Sequence, residues 1–457
     1  MDSLRIFCKV LLQENQWRND VIMCLGADGI ITGIEQGSKH DADQSTCGIV
    51  IPGMPNVHSH AFQRAIAGRT GPVNGRRDSF WSWREAMYRC ANSITPGQFS
   101  AITANVFLDM LKAGYTSCAE FHYIHHQIDG RPFANPAEMS ERVFEAATAS
   151  GIALTLLPVL YCNAGFTQQG VTEQQRRFLN SADQYLRLLA DCQQMISGKP
   201  MYSLGIAPHS LRAVTGDTLR EVLHAWPDQR CPVHIHIAEQ PAEVESCLEH
   251  LGARPVAWLL DNFQLDERWC LVHATHLSDG EVELAAARGV TAGLCPTTEA
   301  DLGDGIFKAT EWLSAGGSVA IGSDSNVRIS VAEELRLLEY GQRLLSGQRN
   351  VLAGTDDSCG RFLYQHMAKG GGIAIGQRVG KLAVGYRADF LVLDDGHELL
   401  NGRLPDVALD SWIFAGDRSM IDSVWVAGRC VIRQGAHAHE GSIRAASAKA
   451  IRELNTT

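Results

Sequence analysis

Long apolar runs are missing from this 457-residue sequence. None reaches the ~18–20 residues needed to span a bilayer, so no membrane-crossing helix is expected. The opening segment MDSLRIFCKVLLQENQW has neither a basic leader nor a clean apolar core, and so does not read as a signal peptide. Paired cysteine is missing as well: the thirteen cysteines include no CxxC and keep no regular spacing, and an odd count leaves at least one unpaired. That pattern points to reduced, mostly buried thiols in a cytoplasmic protein rather than to a disulfide framework. A basic excess is also lacking. With 40 Lys and Arg against 51 Asp and Glu the formal charge is −11, which argues against non-specific nucleic-acid binding. Any anionic substrate must then be met by locally placed arginines, because the global field repels it.

What is present describes a globular enzyme, with 45% hydrophobic and 20% charged residues. The middle of the chain repeats one rhythm. Short apolar, β-branched runs end in chemically useful residues: VIPGMPNVHSH, YTSCAEFHY, IALTLLPVLY, SLGIAPHS, VHIHIAE, CLVHATHL, VTAGLCPTTE and SVAIGSDSN. Helix-like stretches separate them. PAEMSERVFEAATAS has apolar residues at helical spacing and a stop at Ser150-Gly151; TGDTLREVLHAW opens on the capping types Thr215 and Asp217; SDGEVELAAARG runs from an N-cap Ser278 to Gly289. Eight such alternations predict an α/β fold, a closed parallel (β/α)8 TIM-like barrel over residues 53–376. In such a barrel the active site is built at the C-terminal strand ends, which is where His, Glu, Asp and Arg accumulate here.

The termini differ. Residues 1–52 hold short alternating runs, and after 377 the stretches GKLAVGYRADFLVLDD and IDSVWVAGRCVIRQGA read as hairpins with Gly-Arg and Gly-Ala turns. A small β-sandwich domain assembled from both chain termini, 1–52 and 377–457, is expected to flank the barrel. SIRAASAKAIRELNTT reads as a terminal helix packed on the barrel exterior.

Four strand ends carry the chemistry. His58 and His60 are two apart, so a strand sends both imidazoles to one face; alone, such a pair is more often a polar surface feature. His234 and His236 also share a face, with Glu239 just beyond. His236, nearer the rim, is the ligand candidate, and His234 reads as a hydrogen-bonded core histidine. His273 and His276 are three apart and face opposite ways, so His273 points inward and His276 falls in a loop or cap. Asp324 ends the eighth run behind Gly322 and Ser323, which suits close approach to a metal; an isolated Ser-Asp-Ser is ordinarily a turn. Together His58, His60, His236 and Asp324 make a three-nitrogen, one-carboxylate set with an open position, the pattern of a catalytic rather than a closed structural zinc site. A cation there lowers bound-water pKa to about 7. Glu239 would carry the water proton to a departing amine, and His273 with Asp324 would orient the hydroxide and stabilise the oxyanion.

These spacings resemble the amidohydrolase superfamily, mononuclear deaminase branch: HxH on strand 1, HxxE on strand 5, His on strand 6 and Asp on strand 8. No lysine ends the fourth strand, where dinuclear members carry a carbamylated bridge; APHSLR stands there. The likeness covers essentially the whole chain, GYRADFLVL included. The longer strings PGMPNVHSHAFQRAIAG, FWSWREAMYR, AEFHYIHH, APHSLRAV and GLCPTTEADLGDGIF are similar to the deiminases that convert N-formimino-L-glutamate and water to N-formyl-L-glutamate and ammonia in histidine degradation. The resemblance implies one divalent metal ion per subunit, Zn2+, and a homodimer. The two carboxylates of such a substrate need charge-assisted partners, and arginine forks match them best. Arg84 and Arg212 are the candidates, with Gln63, Tyr123 and His209 carried over as further substrate contacts, while Phe80, Trp81 and Trp83 read as packing. One departure stands out: SDSN replaces the expected SDSH, making Asn326 a rim-contact candidate. Two alternatives remain, a deaminase of guanine, an adenosine derivative or a triazine, and a non-catalytic scaffold. The first would favour aromatic and amide contacts over paired arginines, and the second should lack a ligand.

Overall fold

A computed structural model describes residues 4–69, 80–167, 171–354 and 358–456, with the backbone alone for 80–82. The expected barrel is present. Its strands are Met54–Ser59, Tyr115–His122, Ala153–Leu160, a fourth in two pieces (Tyr202–Leu204 and Ala207–Pro208), Val233–Ile237, Trp269–His273, Thr291–Leu294 and Ser318–Ile321. Every pairing between successive strands is parallel. Nearly every strand residue is buried, as expected where helices cover one face and the barrel interior the other. Two arcs of four strands close on each other through single bridges, Ile206 with Val233 and Ser59 with Asp324. The break in the fourth strand falls at Gly205, where a Cβ would sit 2.6 Å from Leu157 and 2.8 Å from the Pro232 carbonyl. Only glycine lets the backbone pass there.

The helices begin and end where the capping residues say. Glu138–Ser150 stops at Gly151 with φ +79°, Gly216–Ala225 is capped by Thr215, and Asp279–Ala287 opens on a capping box of Ser278 and Glu281. The terminal helix Glu440–Thr456 lies on the outer helix Pro96–Lys112, tied by Lys112–Glu440 at 2.7 Å and Arg444–Asp109 at 2.7 Å.

Both chain ends build one seven-stranded sheet, in the order Arg429–Arg433, Ile421–Val426, Phe390–Leu393, Gln44–Pro52, Leu4–Gln13, Gln16–Leu25, Ile31–Gln36. Alternation divides its faces. Ile49, Ile51, Leu391 and Leu393 join the barrel core, whereas Val50, Phe390 and Val392 face a separate core with Ile6, Cys8, Val21 and Met23. GKLAVGYRADFLVLDD does not form a hairpin. Only Phe390–Leu393 is a strand, antiparallel to both neighbours, because Arg387 and Asp389 before it are buried as a forked ion pair at 2.7 Å. IDSVWVAGRCVIRQGA is a hairpin, but it turns at Ala427-Gly428, with φ +49° and +72°, rather than at Gly-Arg. A helix that the sequence reading did not anticipate, Ala408–Phe414, packs Leu409, Trp412 and Ile413 into the barrel core. All thirteen cysteines are free and most are buried. No helix among the described residues is long and apolar enough to cross a membrane.

Candidate active site and metal centre

The first barrel strand delivers His58 and His60 to the barrel mouth, the fifth delivers His236, and the exit of the eighth delivers Asp324. Their ligand atoms converge. Nε2 of His58 lies 3.1 Å from that of His60 and 3.0 Å from that of His236, and the His60–His236 separation is 3.3 Å. Asp324 Oδ1 stands 3.4 Å from His58 Nε2 and 3.3 Å from His60 Nε2. A tetrahedral zinc site with bonds of 2.0–2.1 Å has ligand-to-ligand edges of about 3.3 Å. Tautomers agree with that reading. Nδ1 of His60 faces the Phe121 carbonyl at 2.6 Å and Nδ1 of His236 faces the His209 carbonyl at 2.9 Å, so each must donate there and present a lone pair at Nε2. Burial above all, then the neighbouring imidazoles, holds His58 and His236 well below the ordinary histidine range; burial also lowers His60, against Asp324. Three buried imidazoles held neutral and converging through Nε2, two of them with the lone pair fixed there by a carbonyl at Nδ1, fit a divalent cation beside the carboxylate.

The approach of strand eight to strand one is set by backbone and amide groups. His58 O accepts from Ser323 N (3.1 Å) and Asp324 N (3.0 Å), and Asp324 O accepts from His60 N (2.9 Å). A Cβ at Gly322 would lie 2.8 Å from the His58 carbonyl, so the small residue there admits the neighbouring strand and not the metal. Asn326 is not a rim contact. It is wholly buried, takes Ser323 Oγ on its Oδ1 at 2.7 Å, and donates Nδ2 to Ser59 Oγ and to Asp324 O. Asn56 completes the seam, donating to Ser323 Oγ at 2.7 Å. The amide beneath the loop thus fixes Asp324 against the strand carrying His58 and His60.

Glu239 follows His236 at the fifth strand's exit, and His273 ends the sixth. His273 Nε2 lies 3.9 Å from Glu239 Oε1 and 3.8 Å from Asp324 Oδ2, while its Nδ1 meets Glu299 Oε1 at 3.2 Å. Burial opposes a charge on His273, but Glu239, Glu299 and Asp324 outweigh it and hold the imidazolium well above the ordinary range. Burial raises Glu239, against the pull of His273 and Arg212. Glu299 escaped the sequence reading. Its carboxylate also accepts the Cys295 N–H at 2.7 Å, so from sequence it looks like a helix cap in CPTTE. His234 is a core histidine, Nε2 at 2.7 Å from the Ala374 carbonyl, and His276 lies in a loop against the Asp304 carbonyl.

A cavity of about 270 Å3 opens beside these groups, walled by His60, His236, Asp324, Glu239, His273, Gln63, Arg84, Tyr123, His209 and Arg212 among others; His58 lies behind it. Gln63 Nε2 donates to Tyr123 OH at 2.8 Å, leaving its buried Oε1 without a partner. Arg84 donates Nε and Nη2 to Tyr88 OH at 2.9 and 2.6 Å. Arg212 stands 3.9 Å from Glu243 with its buried Nε unpartnered. Burial, then Arg212, keeps His209 far below the ordinary range. Trp83 lines this cavity as well as packing on the core, so packing alone does not describe it; the side chains of Phe80 and Trp81 lie outside the described residues. Tyr88, Tyr161 and Glu243 in the wall were also missed. Tyr88 was within reach, since it is four residues after Arg84 on one helix, Phe80–Ala91.

Comparison with known proteins places this geometry. The amidohydrolase family profile matches residues 49–431. The formimidoylglutamate deiminase of Pseudomonas aeruginosa is 49% identical over 450 residues, covering 98% of this chain and 99% of that one. A crystal structure of an amidohydrolase from Brucella melitensis superposes with a TM-score of 0.93 at 46% identity, over 99% of this chain and 100% of the other. An adenosine deaminase from Xanthomonas campestris, solved with bound zinc, shares the fold at 20% identity, with a TM-score of 0.83 over 99% of each chain.

Proposed function

The chain belongs to the amidohydrolase family, and from that premise we propose that it hydrolyses N-formimino-L-glutamate to N-formyl-L-glutamate and ammonia, as a formimidoylglutamate deiminase of histidine degradation. The observation that carries the choice of substrate is the presence of two guanidiniums, Arg84 and Arg212, in the wall of the same cavity as the metal-ligand set. Two arginines suit two carboxylates, and in an acidic chain they are the local attraction that such a dianion needs.

His58, His60, His236 and Asp324 would hold one divalent cation per subunit, Zn2+, which would supply a nucleophilic water at neutral pH. Glu239 accepts the proton of the attacking water and delivers it to the departing nitrogen. The imino C=N becomes a single bond as the oxygen adds; the second proton of that oxygen then passes through the same carboxyl to the nitrogen, the remaining C–N bond breaks, the C=O forms and ammonia leaves. Burial suits Glu239 to this work, because it raises the pKa above the ordinary carboxylate range and so favours holding the travelling proton. His273, fixed through Nδ1 by Glu299, donates Nε2–H to the oxygen on which charge develops. Arg84 and Arg212 bind the carboxylates, His209 in the same cavity wall contacts the substrate, and Gln63, oriented by Tyr123, offers its free Oε1 to a substrate N–H. The enzyme works in the cytoplasm as a homodimer.

The test is ammonia release from N-formimino-L-glutamate set against guanine and S-adenosylhomocysteine. Turnover confined to the first supports the reading. Release from either ring compound alone would overturn it, and protein that purifies without stoichiometric metal and stays inactive after zinc addition would favour a scaffold.

A further inference from the structure

Beside the three-imidazole set lies a second group of ligand atoms. Cys295 follows the seventh barrel strand, its thiol wholly buried and without a hydrogen-bond partner among the described residues. The thiol, an imidazole nitrogen of His273 and a carboxylate oxygen of Asp324 lie within 4.8 Å of one another. Asp324 is divided between the two groups. Its Oδ1 faces His58 and His60 at 3.4 and 3.3 Å, and its Oδ2 faces His273 Nε2 at 3.8 Å. A carboxylate so divided can bridge two cations. Glu239, 3.9 Å from His273 Nε2, and Glu299, 3.2 Å from Nδ1, bring negative charge that offsets repulsion between two dications. Sulfur, imidazole nitrogen and one oxygen form a donor mix that suits zinc or cadmium and disfavours magnesium or calcium.

We propose that His273, Cys295 and Asp324 form a second, weaker site for a thiophilic divalent cation, filled only when zinc or cadmium is in excess, and that filling it stops turnover. The site is weaker for three reasons. It has three protein ligands instead of four, its thiol must release a proton to solvent as the metal–sulfur bond forms, and the first cation repels the second. His273 likewise gives up its Nε2 proton to solvent. Inhibition follows because the incoming cation takes His273 Nε2 and Asp324 Oδ2, which would otherwise face the reacting oxygen. That inhibition rests on the role assigned to His273 above; the binding does not.

The experiment titrates protein holding one equivalent of zinc with cadmium, reading bound metal by equilibrium dialysis and the cadmium–thiolate charge-transfer band in the ultraviolet. The wild type should take up a further equivalent with a rise in that band. Cys295→Ser and Cys295→Ala should keep their first metal and their basal ammonia release but lose that equivalent and that part of the band. Surface thiols such as the exposed Cys47 respond alike in all three proteins, so the difference is the signal. Excess cadmium should abolish ammonia release by the wild type and spare both variants. No additional uptake by the wild type, or undiminished uptake in either folded variant, overturns the site. If N-formimino-L-glutamate proves not to be a substrate, the assignment of function falls while the cadmium stoichiometry still decides this site.

Discussion

Replacing Glu239 by glutamine separates proton transfer from everything else the site does. The residue is 7% exposed, and its Oε1 lies 3.9 Å from His273 Nε2. None of the four converging ligand atoms belongs to it. Glutamine fills the same volume, and the backbone N–H of residue 239 still reaches Glu243 Oε2, as it does now at 3.1 Å. The substitution therefore leaves the cation and the arginine wall in place and removes only the group that holds the travelling proton. General acid–base catalysis by one positioned side chain is worth about 10²–10⁴ in rate, or about 3–5 kcal/mol of barrier. Because this carboxyl serves both halves of the transfer, we expect kcat to fall to the lower end of detection, toward ~10⁴-fold, with KM nearly unchanged. Steady-state ammonia release gives kcat and KM, and elemental analysis gives metal per chain. A variant that retains its metal and turns over within tenfold of wild type would remove Glu239 from the proton path. Loss of metal would refute the claim that it stands outside the ligand set.

Three further expectations follow from the same geometry. Arg84→Met and Arg212→Met each delete charge-assisted hydrogen bonds worth about 1.5–3 kcal/mol, so kcat/KM for N-formimino-L-glutamate should drop about 10- to 150-fold, chiefly through KM; an unchanged KM would free that arginine from the carboxylates. Asn326→Ala cuts the buried seam to Ser59, Ser323 and Asp324, so chemical denaturation should show a loss of about 1–3 kcal/mol and metal should exchange faster; a variant with wild-type metal retention would show that the seam does not position Asp324. Glu120, buried beneath Ala61, has its carboxyl pushed from 4.5 up to about 8, so the folded metal-free protein binds this proton more tightly than the unfolded chain does. Its contribution to stability is therefore complete below pH 4.5 and lost as pH rises through about 8. The metal-free Glu120→Gln variant should show a flatter fall in Tm between those limits, and an identical pH profile would exclude Glu120 as its source.

Periodicity made the candidate ligands legible and left their supports hidden. Two histidines two apart on a strand must share a face, so the positions of His58, His60 and His236 follow from spacing once the strands are known. Glu299 could not be found that way. Its contact with His273 crosses from the seventh strand's exit to the sixth, and nothing local distinguishes it from a helix-capping glutamate. Asn326 was visible as an oddity but misread, because a loop after a strand end suggests the rim, whereas a left-handed turn at φ +57° folds this residue back under Asp324. The same limit applies in the β sheet. GYRADFLVL carries the alternation of a hairpin arm, yet the forked Arg387–Asp389 pair takes up the residues that would have been its partner strand.

The strand exits that carry the chemistry are also where the backbone is forced. Ala238, His273, Ala274, Asp324 and Asn326 all adopt positive φ without being glycine, between +42° and +67°. Each such residue costs on the order of 1–3 kcal/mol, a sum that a marginally stable domain tolerates only where surrounding contacts over-determine the conformation. Those contacts are present. Asp324 is held by His58 O and His60 N, Ala274 N bonds Ile237 O, and the left-handed Asn326 closes its own loop on Asp324 O. An ordinary extended exit continues the strand direction and sends successive side chains to alternate faces. The left-handed turns at 238, 273 and 324 break that alternation and allow Glu239, His273 and Asp324 to lean toward one another from the exits of the fifth, sixth and eighth strands. The strain is therefore the means by which a regular barrel brings two carboxyls, of Glu239 and Asp324, each to within 4 Å of the His273 imidazole.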